Sequence, residues 1–458
     1  MDHTKQLGEA RISRLLLKFS IPAITGMVVN ALYNVVDRIF IGQGIGRNGI
    51  AGITVAFPLM TVMMALSMLI GLGATALISI RLGEQRKDDA ELIVGNAMAC
   101  LIGIALTVTA VGLTFIDPIL KLFGASAAVL PYARDYMRII LFGEVFMSIG
   151  FGMNHFIRAE GNPKIAMMTM LLGAILNTIL DPIFIFTFGW GIKGAAWATI
   201  ISQAASAAWV LSYFFRQKSH LKIYVKNLKL KLAVVREITA IGSAPFLMQI
   251  AASVIGVILN NSLVHYGGDL AISAMGIVNS IGMLFLMPLF GINQGAQPII
   301  GYNYGAGKFD RVKKTLKLAI TAATLVVLVG FAMVRLFPES LVLLFSKQDP
   351  ELVAFASKAM RTFLMMLPII GFQIVSANYF QAVGKPRQAM ILSLSRQVLL
   401  LIPALLILPR LFGINGIFYA GPVSDFGASL ITGVWLFFEM KHLERKHSES
   451  QLEPELAG

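Results

Sequence analysis

Apolar stretches recur along this chain, each long enough to cross roughly 30 Å of hydrocarbon as a helix. They fall near residues 15–41, 51–80, 90–115, 130–157, 163–187, 191–215, 236–264, 271–300, 313–336, 352–380, 388–409 and 413–438, with polar clusters between them. In lipid every backbone polar group needs a partner within its own segment or in a closed barrel, and nothing here alternates like a barrel strand. The pattern therefore predicts an all-α integral membrane protein of twelve transmembrane helices.

The pattern is also written twice. Ala159-Glu160-Gly161-Asn162-Pro163-Lys164 returns as Ala382-Val383-Gly384-Lys385-Pro386-Arg387, and Gly191-Ile192-Lys193-Gly194 as Gly413-Ile414-Asn415-Gly416. Gly73-Ala74 with Gly83 returns as Gly295-Ala296 with Gly305, Leu122-Phe123 as Leu344-Phe345, and Met137-Arg138 as Met360-Arg361. A shared order and a nearly constant spacing identify a duplication. Each half carries an even number of spans, so the halves run in the same direction as parallel repeats, giving two pseudo-symmetric six-helix bundles. The domains expected are an amino-terminal lobe over 1–215, a linker over 216–235, a carboxy-terminal lobe over 236–440 and a tail over 441–458.

Composition agrees with a life in lipid: 57% of the residues are hydrophobic and 14% charged. The net charge of +14 would suggest nucleic acid in a soluble protein. Here the positive charges fall on alternate loops, at Lys5, Arg11 and Arg14, at Arg81, Arg86 and Lys87, at Arg158 and Lys164, and from Arg216 to Arg236. Lys308, Arg311, Lys313 and Lys314 continue the series, which ends at Lys441, Arg445 and Lys446. By the positive-inside rule both termini are expected in the cytoplasm, in a multi-pass protein of the plasma (cell inner) membrane. The charge is topology, and no nucleic-acid partner is expected. Residues 1–14 show no signal-peptide core, so the first span is expected to be retained. The lone Cys100 lies in an apolar stretch without a disulfide or metal partner and is expected in the core.

An ionisable side chain within a span costs about 2.5 to 3.5 kcal/mol on insertion scales, so each is a functional candidate. Asp37, Arg38, Glu144 and Asp181 qualify in the first half, and Arg396 and Asp425 in the second. The first and fifth spans run in the same direction and bring Asp37 and Asp181 to one depth. Asn177 sits four residues before Asp181 and shares its helix face, and Thr199 reaches the same level on the sixth span. Two carboxylates, an amide carbonyl and a hydroxyl are hard oxygen ligands, suited to Na⁺ or to a proton held between two acids that cannot both ionise cheaply. The competing reading pairs Asp37 with Arg38 and makes Asp181-Pro182 the cap of a kink.

Glu144, Asn154, Gln294 and Asp425 are candidates for a substrate pathway, or for satisfied hydrogen bonds between helices. The many Met and Phe residues suit either an adaptable pocket or lipid-facing filler. Gly301 to Phe309 is glycine-rich but lacks the P-loop's first glycine, which would fall at Tyr302, and its Ser or Thr, which would fall at Phe309, and reads as a helix-terminal loop. No nucleophile elbow, dinucleotide fingerprint or metal-ligand spacing is present. An enzyme is not expected, nor a cofactor beyond a coupling ion.

These residues resemble the multidrug and toxic compound extrusion (MATE) family, and within it the bacterial MepA- and DinF-like members. The resemblance rests on Asp37, on Leu176-Asn177-Thr178-Ile179-Leu180-Asp181-Pro182 and on Arg158-Ala159-Glu160-Gly161-Asn162-Pro163, and extends from about Ile12 to Phe438. It implies a secondary active exporter that exchanges cationic or amphipathic organic compounds for Na⁺ or H⁺ by alternating access; a monomer is the default expectation. It also implies a cation site at Asp37, Asn177, Asp181 and Thr199. Gln294 stands where some members carry an acid, which argues against coupling through the second half. A flippase of lipid-linked precursors, of related architecture, is the alternative, although it calls for more intramembrane basic charge than Arg38 and Arg396 supply.

Overall fold

The computed structural model describes residues 3–45, 47–216, 219–345 and 349–456. After a short helix, His3–Glu9, the first three spans are α1 (Ile12–Ile45), α2 (Arg47–Gly83) and α3 (Lys87–Thr114). The fourth, α4, is bent by 57° where Leu130–Phe142 meets Glu144–Ala159. Next come α5 (Pro163–Pro182) and α6 (Gly191–Phe215). Leu232–Gly268 and Leu270–Gly305 form α7 and α8, and Phe309–Leu336 forms α9. The tenth span, α10, is again bent, by 49° where Pro350–Phe363 meets Leu367–Ala382. Pro386–Phe412 is α11 and Ile414–Leu456 contains α12. Ten spans of single helices and two of bent pairs make twelve among the described residues. The glycine-rich stretch from Gly301 is helical as far as Gly305, and only the turn after it is a loop. Cys100 is buried.

Both bends fall at equivalent places in the two repeats. In α4 the joint is Gly143, where a Cβ would lie 2.3 Å from the Ile200 side chain on α6. Its absence lets the two helices close on each other. The apolar core of this half lies beside the joint, with Met63, Met137, Ile140 and Ile192 all buried.

Packing divides the chain into two compact units, one of residues 1–10 and 21–246, the other of 11–20 and 247–458. The cuts fall inside α1 and α7, beside Pro22 and Pro245. Hence the first turns of α1 pack with the second unit, and the first turns of α7 with the first. The duplicated glycines explain this exchange. A Cβ on Gly73 of α2 would lie 2.1 Å from the Ile238 carbonyl oxygen of α7, and one on Gly242 would lie 1.7 Å from that of Leu69. In the second unit Gly295, the repeat of Gly73, would put a Cβ 2.8 Å from the Ser20 backbone nitrogen. Each unit therefore grips the opening of a helix at a backbone-to-backbone contact that only glycine permits.

The polar connection after α6 is folded onto the first unit. Glu160, 1% exposed at the end of α4, accepts hydrogen bonds from the Tyr213 hydroxyl at 2.6 Å, the Ser219 hydroxyl at 2.6 Å and the Leu221 amide at 2.7 Å. Asn96 of α3 donates to the Asn227 carbonyl at 2.9 Å and accepts from the Lys231 amide at 2.7 Å. Glu91 accepts from the Lys222 amide at 3.1 Å. Buried side chains thus satisfy the backbone of a segment that holds a single 3₁₀ turn, Val225–Leu228, among its described residues. Burial pushes the Glu160 carboxyl up to about 7 from an ordinary 4.5, and its hydrogen bonds to Ser219, Tyr213 and Leu221 pull the other way.

Candidate cation site

Asn177 and Asp181 occupy one face of α5 near its end, 2% and 0% exposed. The next residue, Pro182, has no amide hydrogen for the carbonyl four residues back. The chain nevertheless winds on, as a π-helix from Ile183 to Thr187. Such widened turns recur at functional sites because they re-aim side chains without ending the helix. Asp181 lies within this continuous run and caps nothing.

The Asn177 amide donates to Asp181 Oδ1 and to Thr199 Oγ1, each at 3.4 Å. Thr199 in turn gives its hydroxyl hydrogen to the Ala195 carbonyl at 3.0 Å. Asp37, half-buried on α1, brings its carboxyl into hydrogen-bond contact with that of Asp181. All four residues chosen from depth along the sequence meet in space. The side chain of Arg38 lies outside the described residues, as do those of Arg47 and Lys446.

A fifth member escaped the sequence reading. Tyr136 of α4, 2% exposed, forms a hydrogen bond with Thr199 and faces Asp37, Asp181 and Tyr33. Its signal was present: it shares a face with Ala133, Met137 and Ile140, all buried, and a tyrosine on a buried face needs a partner for its hydroxyl.

Two oxygens of the cluster, Asp181 Oδ2 and Asn177 Oδ1, are buried without a hydrogen-bond donor. A buried acceptor left in that state costs free energy. A cation, or a proton on the carboxyl, removes the cost. The oxygens of Asp37, Asn177, Asp181 and Thr199 suit a hard ion such as Na⁺.

The other candidates lie apart from this cluster. Glu144, 1% exposed, begins the second segment of α4. It accepts from Ser148 at 2.9 Å, and Ser148 meets Ser67 of α2 at 3.0 Å. Its Oε2 has no donor, and neither has Oδ1 of Asn154, which is 5% exposed. Gln294 is half-buried on α8, beside buried Asn293 and Gln297. Asp425 of α12 is 5% exposed and accepts from Arg396 Nε at 2.6 Å. Arg396 is the second residue of the π-helical part of α11, Ser395–Leu401. The ion pair joins the two intramembrane charges of the second half, which the sequence presented separately.

Twelve spans in two six-helix units, with two carboxyls in contact beside donorless oxygens in one of them, are the architecture of a secondary active transporter. The MatE family profile matches the chain twice, over residues 22–183 and 245–406, and the chain belongs to that family, whose members work as multidrug antiporters driven by a Na⁺ or H⁺ gradient. It is 31% identical over 412 residues to the multidrug export protein MepA of Staphylococcus haemolyticus (strain JCSC1435), covering 90% of each chain. It is 30% identical over 409 residues to MepA of Staphylococcus aureus (strain MSSA476), covering 89% of this chain and 90% of that one. A MATE crystal structure in the bent conformation superposes with a TM-score of 0.92 at 24% identity, over 98% of this chain and 99% of the other. An outward-facing multidrug resistance MATE transporter of the MOP superfamily superposes with a TM-score of 0.90 at 25% identity, over 96% and 98%.

Proposed function

We propose that this protein exports cationic or amphipathic organic compounds in exchange for a Na⁺ ion or a proton bound among Asp37, Asn177, Asp181 and Thr199. The observation that carries this reading is the pair of donorless buried acceptors, Asp181 Oδ2 and Asn177 Oδ1, beside the carboxyl of Asp37. Two carboxyls in contact repel when both are charged, and one cation or one shared proton offsets that repulsion. Tyr136 orients the cluster by fixing Thr199. Release of the ion leaves charge that favours another arrangement of the helices, and this couples the ion to alternating access.

The functional lobes are residues 1–215 and 236–440, joined by 216–235. The chain works as a monomer in the plasma membrane with both termini in the cytoplasm, as the basic loops require. Glu144, Asn154, Gln294 and Asp425 are the candidates for meeting substrate. Glu144 leads them, because its Oε2 lacks a donor and a cation would supply the missing charge. The names of the staphylococcal relatives and of the drug-resistance transporter above support multidrug export. The flippase reading needs free basic charge for a pyrophosphate, whereas Arg396 is engaged by Asp425.

Export of a fluorescent organic cation from proteoliposomes, with Na⁺ and proton gradients imposed separately, tests the proposal. One of the two gradients should drive export, and Asp181→Asn should abolish it in protein that still inserts and purifies as wild type. Full export by that variant under both gradients overturns the reading.

A further inference from the structure

The two repeats finish differently at one end. In the first unit α6 stops at Phe215, and the chain turns to lay Ser219 and Leu221 over Glu160. Asn162, beside this clasp, donates to the Tyr213 hydroxyl at 2.5 Å. In the second unit the residue at the place of Asn162 is Lys385, and that at the place of Tyr213 is Trp435. Here α12 does not stop but runs on as helix to Leu456. None of the described residues folds back over this end, and a cavity of about 540 Å³ lies there between the start of α11 and α12.

The cavity has a polar end and an apolar wall. At the polar end Lys385 meets both carboxylate oxygens of Glu439, at 2.6 and 2.5 Å, and Tyr379 donates to Glu439 at 3.1 Å. His442 stands one helical turn beyond Glu439 and also lines the cavity. The wall is Val434, Trp435 and Phe438, which are 56%, 36% and 64% exposed. Exposed aromatic rings beside charged groups, where an apolar span passes into a polar tail, mark the level of the lipid headgroups.

We propose that this cavity binds one glycerophospholipid with a zwitterionic ethanolamine headgroup. Its ammonium hydrogen-bonds to Glu439, its phosphate takes Lys385 and His442, and its glycerol and upper acyl chain lie along Val434, Trp435 and Phe438. The charge balance selects this class. Lys385 and Glu439 carry opposite charges that cancel, so a headgroup with one of each divides the pair into two, whereas a purely anionic headgroup meets Glu439 unpaired. A choline headgroup has no N–H to offer the carboxylate. The lipid fills in the second unit the place that the protein's own linker fills in the first.

Native mass spectrometry on the purified full chain tests this, with phosphatidylethanolamine, phosphatidylglycerol, phosphatidylcholine and chain-free phosphoethanolamine each titrated separately. One equivalent of phosphatidylethanolamine should bind saturably, at least tenfold tighter than either other lipid or the chain-free headgroup. His442→Ala, at an exposed position, should weaken that binding several-fold. The double variant Lys385→Met with Glu439→Gln removes both charges together and should lose it. Equal or tighter binding of phosphatidylglycerol, equal binding of free phosphoethanolamine, unchanged binding in folded double variant, or no saturable equivalent overturns the proposal.

Discussion

The two halves share a scaffold and divide the chemistry. In the amino half the charges at the site are of one sign among the described residues: Asp37 touches Asp181, and Asn177 and Asp181 leave acceptors open beside Thr199 and Tyr136. In the carboxy half the intramembrane acid already has its counter-charge, since Asp425 is held by Arg396 at 2.6 Å. A cluster with no positive charge among the described residues can take up an ion, whereas a neutral ion pair gains little from one. The duplication supplied helices that pack alike, and the paired carboxylates stand in one copy, with Leu259 and Asn260 near the place of Asp37 in the other.

This comparison breaks most sharply at the acids. Asp181→Asn should lower gradient-driven export at least a hundredfold, as should Asp37→Asn. Asn260→Ala, near the place of Asp37 in the second repeat, should leave export within about twofold. Initial rates in proteoliposomes at matched protein content check both, and similar losses at Asn260 would show that the halves share the coupling.

The ion pair of the carboxy half should matter for folding more than for coupling. Removing one partner of a buried pair leaves a lone charge at a cost of about 3 to 5 kcal/mol, so Arg396→Met should lower thermal stability markedly. Replacing both, Arg396→Met with Asp425→Leu, should restore most of the loss. Melting in detergent, followed by tryptophan fluorescence, reads the difference; a double variant no more stable than the single one would mean that the pair does more than neutralise itself.

The glycine contacts sharpen the symmetric side of the comparison. Gly242→Leu forces a side chain against the Leu69 carbonyl and should destabilise the protein by about 3 kcal/mol, the upper end for overpacking. Gly295→Leu should act likewise in the other unit, while Gly276, helical and with nothing near its Cβ position, should accept alanine with a gain of up to about 1 kcal/mol from helix propensity. Detergent melting temperatures of the three variants give the order.

The smallest effect concerns the linker clasp, which the carboxy unit lacks. The Glu160 carboxyl stands at about 7 in the folded protein against 4.5 ordinarily, so the folded state holds the proton more tightly than the unfolded chain does. Its contribution to stability is therefore fully present below about pH 4.5 and is lost as pH rises through 7. Wild type should lose stability from pH 5 to 8 relative to Glu160→Gln, whose profile should be flatter over that range. Parallel melts at several pH values measure this, and identical slopes would assign the pH dependence to other groups.

Much of this was legible in the chain. Asp37, Asn177, Asp181 and Thr199 could be grouped by counting residues from the ends of their spans, because an intramembrane acid is rare and helical rise fixes its depth. Tyr136 was missed because a tyrosine costs little to insert and so carries no comparable signal. The exchange of helix ends at Pro22 and Pro245 was missed for another reason: the repeated Gly73 and Gly295 were visible, but nothing local says which helix a glycine lets approach. The linker read as a polar connector, since its binding to Glu160 and Asn96 depends on side chains far away in sequence.

By itself the sequence determined the class of protein, its twelve spans, their duplication and the inventory of acids, since hydrophobic length, periodicity and the cost of charge in lipid are properties of each segment alone. Only the tertiary structure decided who meets whom. Asp37 with Asp181, Arg396 with Asp425 and Glu160 with the linker are choices among helix faces, and a helix fixes the direction of its own side chains but not the neighbour that receives them.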